Sequence, residues 1–297
     1  AMATLFGDWF DPEAKLDYPV GGSAAVVDAL VQGLRRHGGT LRTGARVEQI
    51  LVEDSRAVGV RLKDGETIHA DQLVSNADIW STVNLLPEGV ASAWKHDRAG
   101  TPACNGFLHL HLGFDASGLD DLPIHTVWVD DWQRGIAAER NAVVLSVPSV
   151  LDPNMAPPGR HVLHGYTPAS EPWDLWRDVE RGSEAYNALK QERCGVFWSV
   201  LERKIPDIRD RCELVMEGTP LTHRHYLNVH QGSYGPALSA AGGLFPGVTT
   251  PIHGLWLCGA STFPGIGIPP VAASGALAAH GIVGRQVQRS LLKELGL

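Results

Sequence analysis

The segment GLWLCGASTFPGIGIPP, Gly254 to Pro270, constrains this chain more than any other. Its first part, Gly254 to Cys258, is a short apolar run bounded by turn residues and reads as a buried strand. A glycine-rich turn follows, and then VAASGALAAHGIVGRQVQRSLLKEL, a long helix with small residues on one face. Glycine tolerates positive φ and lets other atoms come close to the backbone. Pro269 and Pro270 suit the first turn of a helix, where a missing N–H costs little. A helix N-terminus presents free N–H groups and about half a unit of positive charge, so it stabilises an anion, a phosphate or an electron-rich ring edge. Ala272, Ala273, Ser274, Gly275 and Ala276 allow the helix to lie close to a ligand or to a sheet. On spacing alone, a ligand cradle and an ordinary strand–helix packing turn are both open.

Upstream, YPVGGSAAVVDALVQGLRRHGGTL (18–41) predicts a helix. Ser23 is the expected N-cap, Val26, Val27, Leu30 and Leu34 recur at helical spacing, and Gly38-Gly39 supplies a left-handed stop. Arg46 to Val52 and Ala57 to Leu62 alternate like strands, and KDGE (63–66) carries the Asp-Gly signal of a hairpin. IHADQLVSNAD reads as a returning strand that runs into a polar loop. The character changes near Thr101-Pro102. FLHLHLGF (107–114) alternates strictly, and IHTVWV, VVLSV and HVLHGYT follow, so an antiparallel sheet with Pro-rich connections is expected. Glu184 to Lys204 is a helix with Leu189, Val196, Val200 and Leu201 on one side, stopped by Pro206. Arg224 to Pro251 reads as a Gly-rich loop. The two terminal portions, 2–100 and 242–297, look like pieces of one α/β domain, and 101–241 looks like an inserted antiparallel α+β domain. No internal repeat is present.

Composition removes several classes. Arg and Lys number 25 against 33 Asp and Glu, a net charge of −8, which argues against a nucleic-acid partner. No run is long and apolar enough for a spanning helix. Cys104, Cys194, Cys212 and Cys258 form no C-x-x-C pair, so a reduced, cytoplasmic chain without a zinc–thiolate site is expected. Ala1-Met2 reads as a tag remnant, and neither a secretory nor a transit segment is recognisable.

Taken together, YPVGGSAAVVDALVQGLRRHGG, VEQI…AVGVRLKDGETIHADQLVSNAD and GLWLCGASTFPGIGIPPVAASGALAAH resemble the carotenoid isomerase and phytoene desaturase family of FAD-dependent oxidoreductases. They stand in the family's order, and IPDIRDRCELVMEGTPLTHRHYLNVHQGSYG fits the region before its last flavin motif. The resemblance implies an α/β fold: an incomplete, glutathione-reductase-like FAD-binding domain with an inserted antiparallel α+β substrate domain. It implies FAD as cofactor and cis–trans isomerisation or desaturation of an apolar, carotenoid-like polyene. Carried over residue by residue, Val47 falls where the family meets adenine. Gly259, Ser261 and Thr262 fall along the ribityl–phosphate side, with Ala260 at a position usually held by Asp. Gly265, Gly267, Ile268 and Val271 fall beside the isoalloxazine ring. The family's strand–G-x-G-x-x-G–helix unit has no counterpart here. The chain is therefore expected to be the C-terminal part of a larger enzyme, or a truncated homologue, and to be colourless and inactive alone.

Two alternatives stay open: a non-catalytic homologue that binds an apolar ligand or a partner chain, and a flavin amine oxidase of the same superfamily. The absent unit would leave an exposed sheet edge for self-association. The family's bilayer-borne substrates imply peripheral membrane contact, although no basic amphipathic helix makes it explicit. His109 and His111 share one strand face, and His223 and His225 repeat the spacing near His230. Lacking an acidic or Cys partner at ligand spacing, these histidines are expected to line a site rather than bind metal. Among nine tryptophans, Trp128, Trp132, Trp173, Trp176 and Trp198 default to the core and as a group would suit an apolar tunnel. No G-x-S-x-G context supports a serine nucleophile. Tyr234, His225 and Arg224 are site-lining candidates, and no catalytic acid or base is assigned.

Overall fold

A computed structural model describes residues 18–238, 245–294 and 296. The expectations that fall on 2–17 and on 239–244 lie outside those residues. The helices are α1 (Gly22–Arg36), α2 (Ile79–Asn84), α3 (Ser92–Ala99), α4 (Glu184–Lys204), α5 (Ile208–Arg211), α6 (Pro220–Leu227), α7 (Ile268–Val283) and α8 (Arg285–Glu294). The strands are β1 (Val47–Glu53), β2 (Arg56–Leu62), β3 (Thr67–His69), β4 (Leu73–Ser75), β5 (His109–Asp115), β6 (His125–Val129), β7 (Ala142–Ser146), β8 (Arg160–Tyr166), β9 (Cys212–Gly218) and β10 (Leu255–Leu257). The fold is α/β, and the described residues form two compact units.

The first unit contains Arg42–Cys104 and the residues from Tyr234 onward. β1, β2 and β3 form an antiparallel meander. Gly59 matters here: a Cβ at this position would stand 2.4 Å from the Ile68 carbonyl oxygen, so only glycine lets β3 pack this closely. The Asp-Gly turn forms as expected, with Gly65 at φ 92°. β4 and β10 pair in parallel, Leu73 opposite Leu255 and Ser75 opposite Leu257, which joins two stretches far apart in sequence. Ile50, Ala57, Leu86, Ile252 and Leu255 form one buried cluster. Ile79, Trp80, Val83 and Leu257 form a second.

The second unit contains residues 18–41 and Asn105–Ser233, so α1 groups with the middle of the chain rather than with β1–β3. The Gly21 N–H donates to Asp152 Oδ2 at 3.1 Å, and Gly22 lies close to the Met155 side chain. Five antiparallel strands run in the order β6-β7-β8-β5-β9. One face presents Leu108, Leu110, Leu112, Phe114, Val143, Leu145 and Leu163 to Cys194, Phe197, Trp198, Val200 and Leu201 of α4. Gly165 is required at the seam, because a Cβ there would stand 2.9 Å from Leu145 and 3.3 Å from Phe197. The α4 N-terminus is capped by Ser183, whose hydroxyl accepts from the Tyr186 N–H at 3.1 Å.

Several local expectations change. Ser23 does not cap α1: the cap is Gly21 in the left-handed region, which starts the helix one residue before Ser23. The stripe Val26, Val27, Leu30 and Leu34 is exposed. Arg224 does not open a loop, because α6 runs through Leu227 from a Thr219 capping box with Pro220 in the first turn. β9 escapes a period-2 reading, since Leu214, Val215 and Met216 are all exposed on an edge strand. The C-terminal helix is two helices, broken at Gly284, which adopts φ 83°. The returning strand is likewise two short strands, β3 and β4.

Candidate functional site

The glycine-rich turn connects β10 to α7 as the sequence predicts. Cys258 continues the parallel pairing, its N–H donating to the Ser75 carbonyl at 2.9 Å. Gly259 then turns at φ 99°, and a Cβ there would stand 2.5 Å from Asn76 Oδ1. The Gly259 N–H donates at 2.8 Å to Ser274 Oγ, and the Ser274 hydroxyl donates at 2.7 Å to the Val271 carbonyl. The buried Ser261 hydroxyl accepts from the Ile79 N–H at 2.9 Å and so caps the α2 terminus from 182 residues away. Thr262 is also buried, and its N–H donates to the Gly259 carbonyl at 3.1 Å. The first half of the turn is thus tied inward: Gly259 and Ser261 spend these polar groups on the protein itself.

The second half opens outward. Gly265 (φ 121°) and Gly267 (φ 110°) both adopt backbone conformations that disfavour a side chain, but for different surroundings. At Gly265 a Cβ would press on the Phe245 ring at 3.3 Å. At Gly267, among the described residues, it would meet Pro270 in ordinary contact at 3.6 Å, and the glycine itself is exposed. Ile268 is 73% exposed and Phe263 45% exposed beside it, which leaves an apolar rim around that glycine. The helix terminus is poorer in donors than expected. Pro269 and Pro270 have no N–H, and the Val271 N–H bonds the Gly267 carbonyl at 2.9 Å; Ile268 carries the terminal amide not used within the helix. Such an end suits a ring edge better than a phosphate, which wants several donors. Val47 begins β1 and is half-buried, as are Ala260 and Val271; Ala260 brings no carboxylate to its position.

A second constellation lies on the five-stranded sheet, on the face opposite the leucines. Across β5 and β8, His111 is directly opposite His164, and His109 is opposite Tyr166. His109 Nδ1 and His164 Nε2 are 2.7 Å apart and share a hydrogen bond. The rings of His109 and His164 stack at 5.0 Å, and those of His111 and His164 at 4.6 Å. Phe107 stacks on His109 from the other side at 5.8 Å, and His223 meets its edge at 4.8 Å. Burial, followed by the nearby His223, His164 and His111, pushes His109 down to about 3. Burial and His111 push His164 down to about 4, and burial lowers His111.

Sequence spacing brought His109 and His111 together but missed His164, which arrives from a strand 55 residues away from His109. The pair His223 and His225 is not a strand pair: both lie on α6, where Arg224 sits over the Trp173 ring at 5.5 Å and His225 packs edge-on against Tyr226. Tyr234 belongs to the first unit, and burial raises its phenol. Asn76 and Ser274, which fix the turn, carried no signal of their own.

A strand–glycine turn–helix closing a parallel strand pair, with a separate antiparallel sheet unit, defines a class, and the comparisons identify it. Residues 1–283 match the model of the flavin containing amine oxidoreductases, and the chain belongs to that family. Within it, the chain is 36% identical over 274 residues to prolycopene isomerase 2 of an Oncidium hybrid cultivar, covering 89% of this chain and 46% of that protein. It is 30% identical over 292 residues to a lycopene-forming phytoene desaturase of Pseudescherichia vulneris, covering 92% and 56%. The chain thus spans about half the length of the curated relatives it matches. Among solved structures, an oxidoreductase from Methanosarcina mazei matches with a TM-score of 0.56 at 21% identity, over 89% of this chain and 54% of the other. Cyclohexylamine oxidase from Brevibacterium oxydans matches with 0.51 at 15%, over 87% and 52%. Both are likenesses of fold. Among the described residues no helix is long and apolar enough to cross a membrane.

Proposed function

We propose that this chain contributes the later part of a FAD-binding domain and the substrate domain of an oxidoreductase acting on a carotenoid-like polyene, by cis–trans isomerisation or desaturation. The observation that carries the reading is the identity with prolycopene isomerases and phytoene desaturases over nearly the whole chain. The outward half of the glycine turn fits a flavin: Gly267 offers bare backbone, and Phe263 and Ile268 offer an apolar rim. When bound, the flavin supplies the redox or electron-transfer chemistry, and the protein supplies binding and orientation. With flavin bound, Gly267, Ile268 and Val271 would lie along the ring, and Gly265, set against the Phe245 ring, would shape the turn beside it. Gly259, Ser261 and Thr262 hold the turn in shape on what would be the ribityl side, next to Ala260, and Val47 would stand by the adenine.

The substrate is apolar, and the exposed Val127, Leu214 and Met216 belong to the strands of the antiparallel sheet. The test is expression of the encoding gene, with its natural flanking sequence, in a host that accumulates phytoene or a poly-cis carotene. Chromatography should show conversion of one of them, lost on Gly267→Val. No conversion of either by a fully flavin-loaded protein would overturn the assignment. The amine-oxidase alternative predicts hydrogen peroxide release with amines instead.

A further inference from the structure

The three histidines on β5 and β8 form a cluster that the flavin chemistry does not use. One ligand nitrogen from each of His109, His111 and His164 lies within 4.8 Å of the other two. The arrangement is imposed by the fold. Leu108, Leu110, Leu112 and Leu163, on the other side of the same strands, are locked into the core. A one-residue slip of either strand would bury imidazoles there, so the register that aligns His111 with His164 is strongly specified. Imidazoles carried on a packed sheet are held more rigidly than on loops.

We infer that His109, His111 and His164 form a binding site for a borderline divalent transition-metal ion, of which zinc is the natural probe. Three imidazoles suit zinc, copper, nickel and iron and disfavour magnesium and calcium, which prefer oxygen. In a tetrahedral site with Zn–N of about 2.0–2.1 Å, the nitrogens stand roughly 3.3 Å apart. The 2.7 Å separation of His109 and His164 opens to that by modest ring rotation, since histidine χ2 is soft. The metal replaces one imidazole–imidazole hydrogen bond with two metal–nitrogen bonds. Three protein ligands leave a coordination position open to water or another small donor, as in zinc sites that do chemistry rather than hold folds. The site is independent of whether the glycine turn binds flavin.

The experiment is calorimetric titration of the tag-free, chelator-stripped full chain with zinc sulfate at neutral pH, paired with Co²⁺ absorption spectra. The expected result is one equivalent of Zn²⁺ bound at micromolar concentration or tighter, with intense visible bands for low-coordinate Co²⁺. His111→Ala, at an exposed position, and His164→Gln should each weaken binding by more than about tenfold, since even outer-shell changes cost 10–100-fold. His125→Ala, a neighbour on β6 bonded to Ser146, should leave it unchanged. Stoichiometric zinc that survives both cluster substitutions would overturn the inference, as would no stoichiometric binding at all. Should a variant misfold, the wild-type cobalt spectrum still decides: weak, octahedral bands mean adventitious surface binding, and the histidines are then only a hydrogen-bonded neutral stack.

Discussion

Replacing Arg193 with methionine should destabilise the second unit about as much as truncating a large core side chain. Arg193 and Glu171 are buried, 5% and 0% exposed. The guanidinium grips the carboxylate in a fork, Nε to Oε1 at 2.9 Å and Nη2 to Oε2 at 2.8 Å. Trp176 Nε1 donates to the same Oε1 at 2.9 Å, and Glu139 meets the outer side of Arg193 at 2.5 Å. Methionine keeps most of the packing volume and removes both charged hydrogen bonds and the countercharge. Glu171 is left fully buried, with Trp176 Nε1 still donating to its carboxylate. Two charge-assisted bonds at about 1.5–3 kcal/mol each agree with the roughly 3–5 kcal/mol seen on breaking buried pairs. The melting temperature should fall by roughly 10 °C, at about 2–4 °C per kcal/mol for a unit of this size. Because the loss comes from a stranded charge, Arg193→Met/Glu171→Leu should recover most of it. Urea midpoints of wild type, both single variants and the double variant measure the coupling. A loss below about 1 kcal/mol for Arg193→Met, or a double variant no better than the single, would refute the argument.

In the presence of a chelator, stability should be greatest above pH 6.5 and fall as the pH drops toward 4. His109 and His164 stay neutral in the fold down to about 3 and about 4, whereas the unfolded chain takes up protons near 6.5, so acid favours the unfolded state. The cost should be on the order of 1 kcal/mol per histidine at pH 5 once solvent screening is allowed for, and a flat urea midpoint from pH 7.5 to 5 would exclude it. The isolated chain should be purified colourless, because its glycine turn offers few donors to a phosphate; stoichiometric flavin absorbance would contradict this. Ala260→Asp should raise FAD affinity by about tenfold or more if the carboxylate gains one ribityl hydrogen bond of roughly 1.5 kcal/mol, measured by flavin fluorescence quenching. The β4–β10 pair is a two-stranded sheet among the described residues, so open edges should drive self-association. Light scattering showing a strict monomer at high concentration would count against that.

The elements legible in sequence were those whose signal is local. The α4 bounds follow from its apolar side and the stop at Pro206, and the β1–β2–β3 meander follows from alternation around Asp64-Gly65. β9 was illegible because an edge strand with both faces exposed needs no alternation. Gly21, not Ser23, starts α1 because its amide finds Asp152, 131 residues away. The buried Glu171–Arg193 pair is likewise invisible: neither residue stands in a pattern, and only the approach of α4 to the Gly106–Glu171 bridge brings them together. His164 failed for the same reason, since ligand spacing along a chain cannot register a partner supplied by strand pairing.

The glycine turn shows how far a sequence argument about close approach can be carried. Two glycines separated by one residue, Gly265 and Gly267, are a pattern expected where another group lies close against the backbone. The structure separates them. Gly265 is accounted for by its own backbone and the Phe245 ring, and Gly259 by Asn76; neither requires a cofactor. Gly267 has φ 110°, and among the described residues Pro270 stands near its missing Cβ only in ordinary contact at 3.6 Å, so its conformation needs glycine while no described packing does. Gly265→Ala should therefore lower the melting temperature with flavin affinity largely kept, since its cost of ~1 kcal/mol or more falls on the fold. Gly267→Val should abolish flavin binding in the flavin-loaded protein while the antiparallel unit still melts as before. Flavin content and melting temperature, measured together on both variants, separate strain from contact: a Gly267→Val protein that is destabilised yet holds its full flavin would remove this glycine from the site.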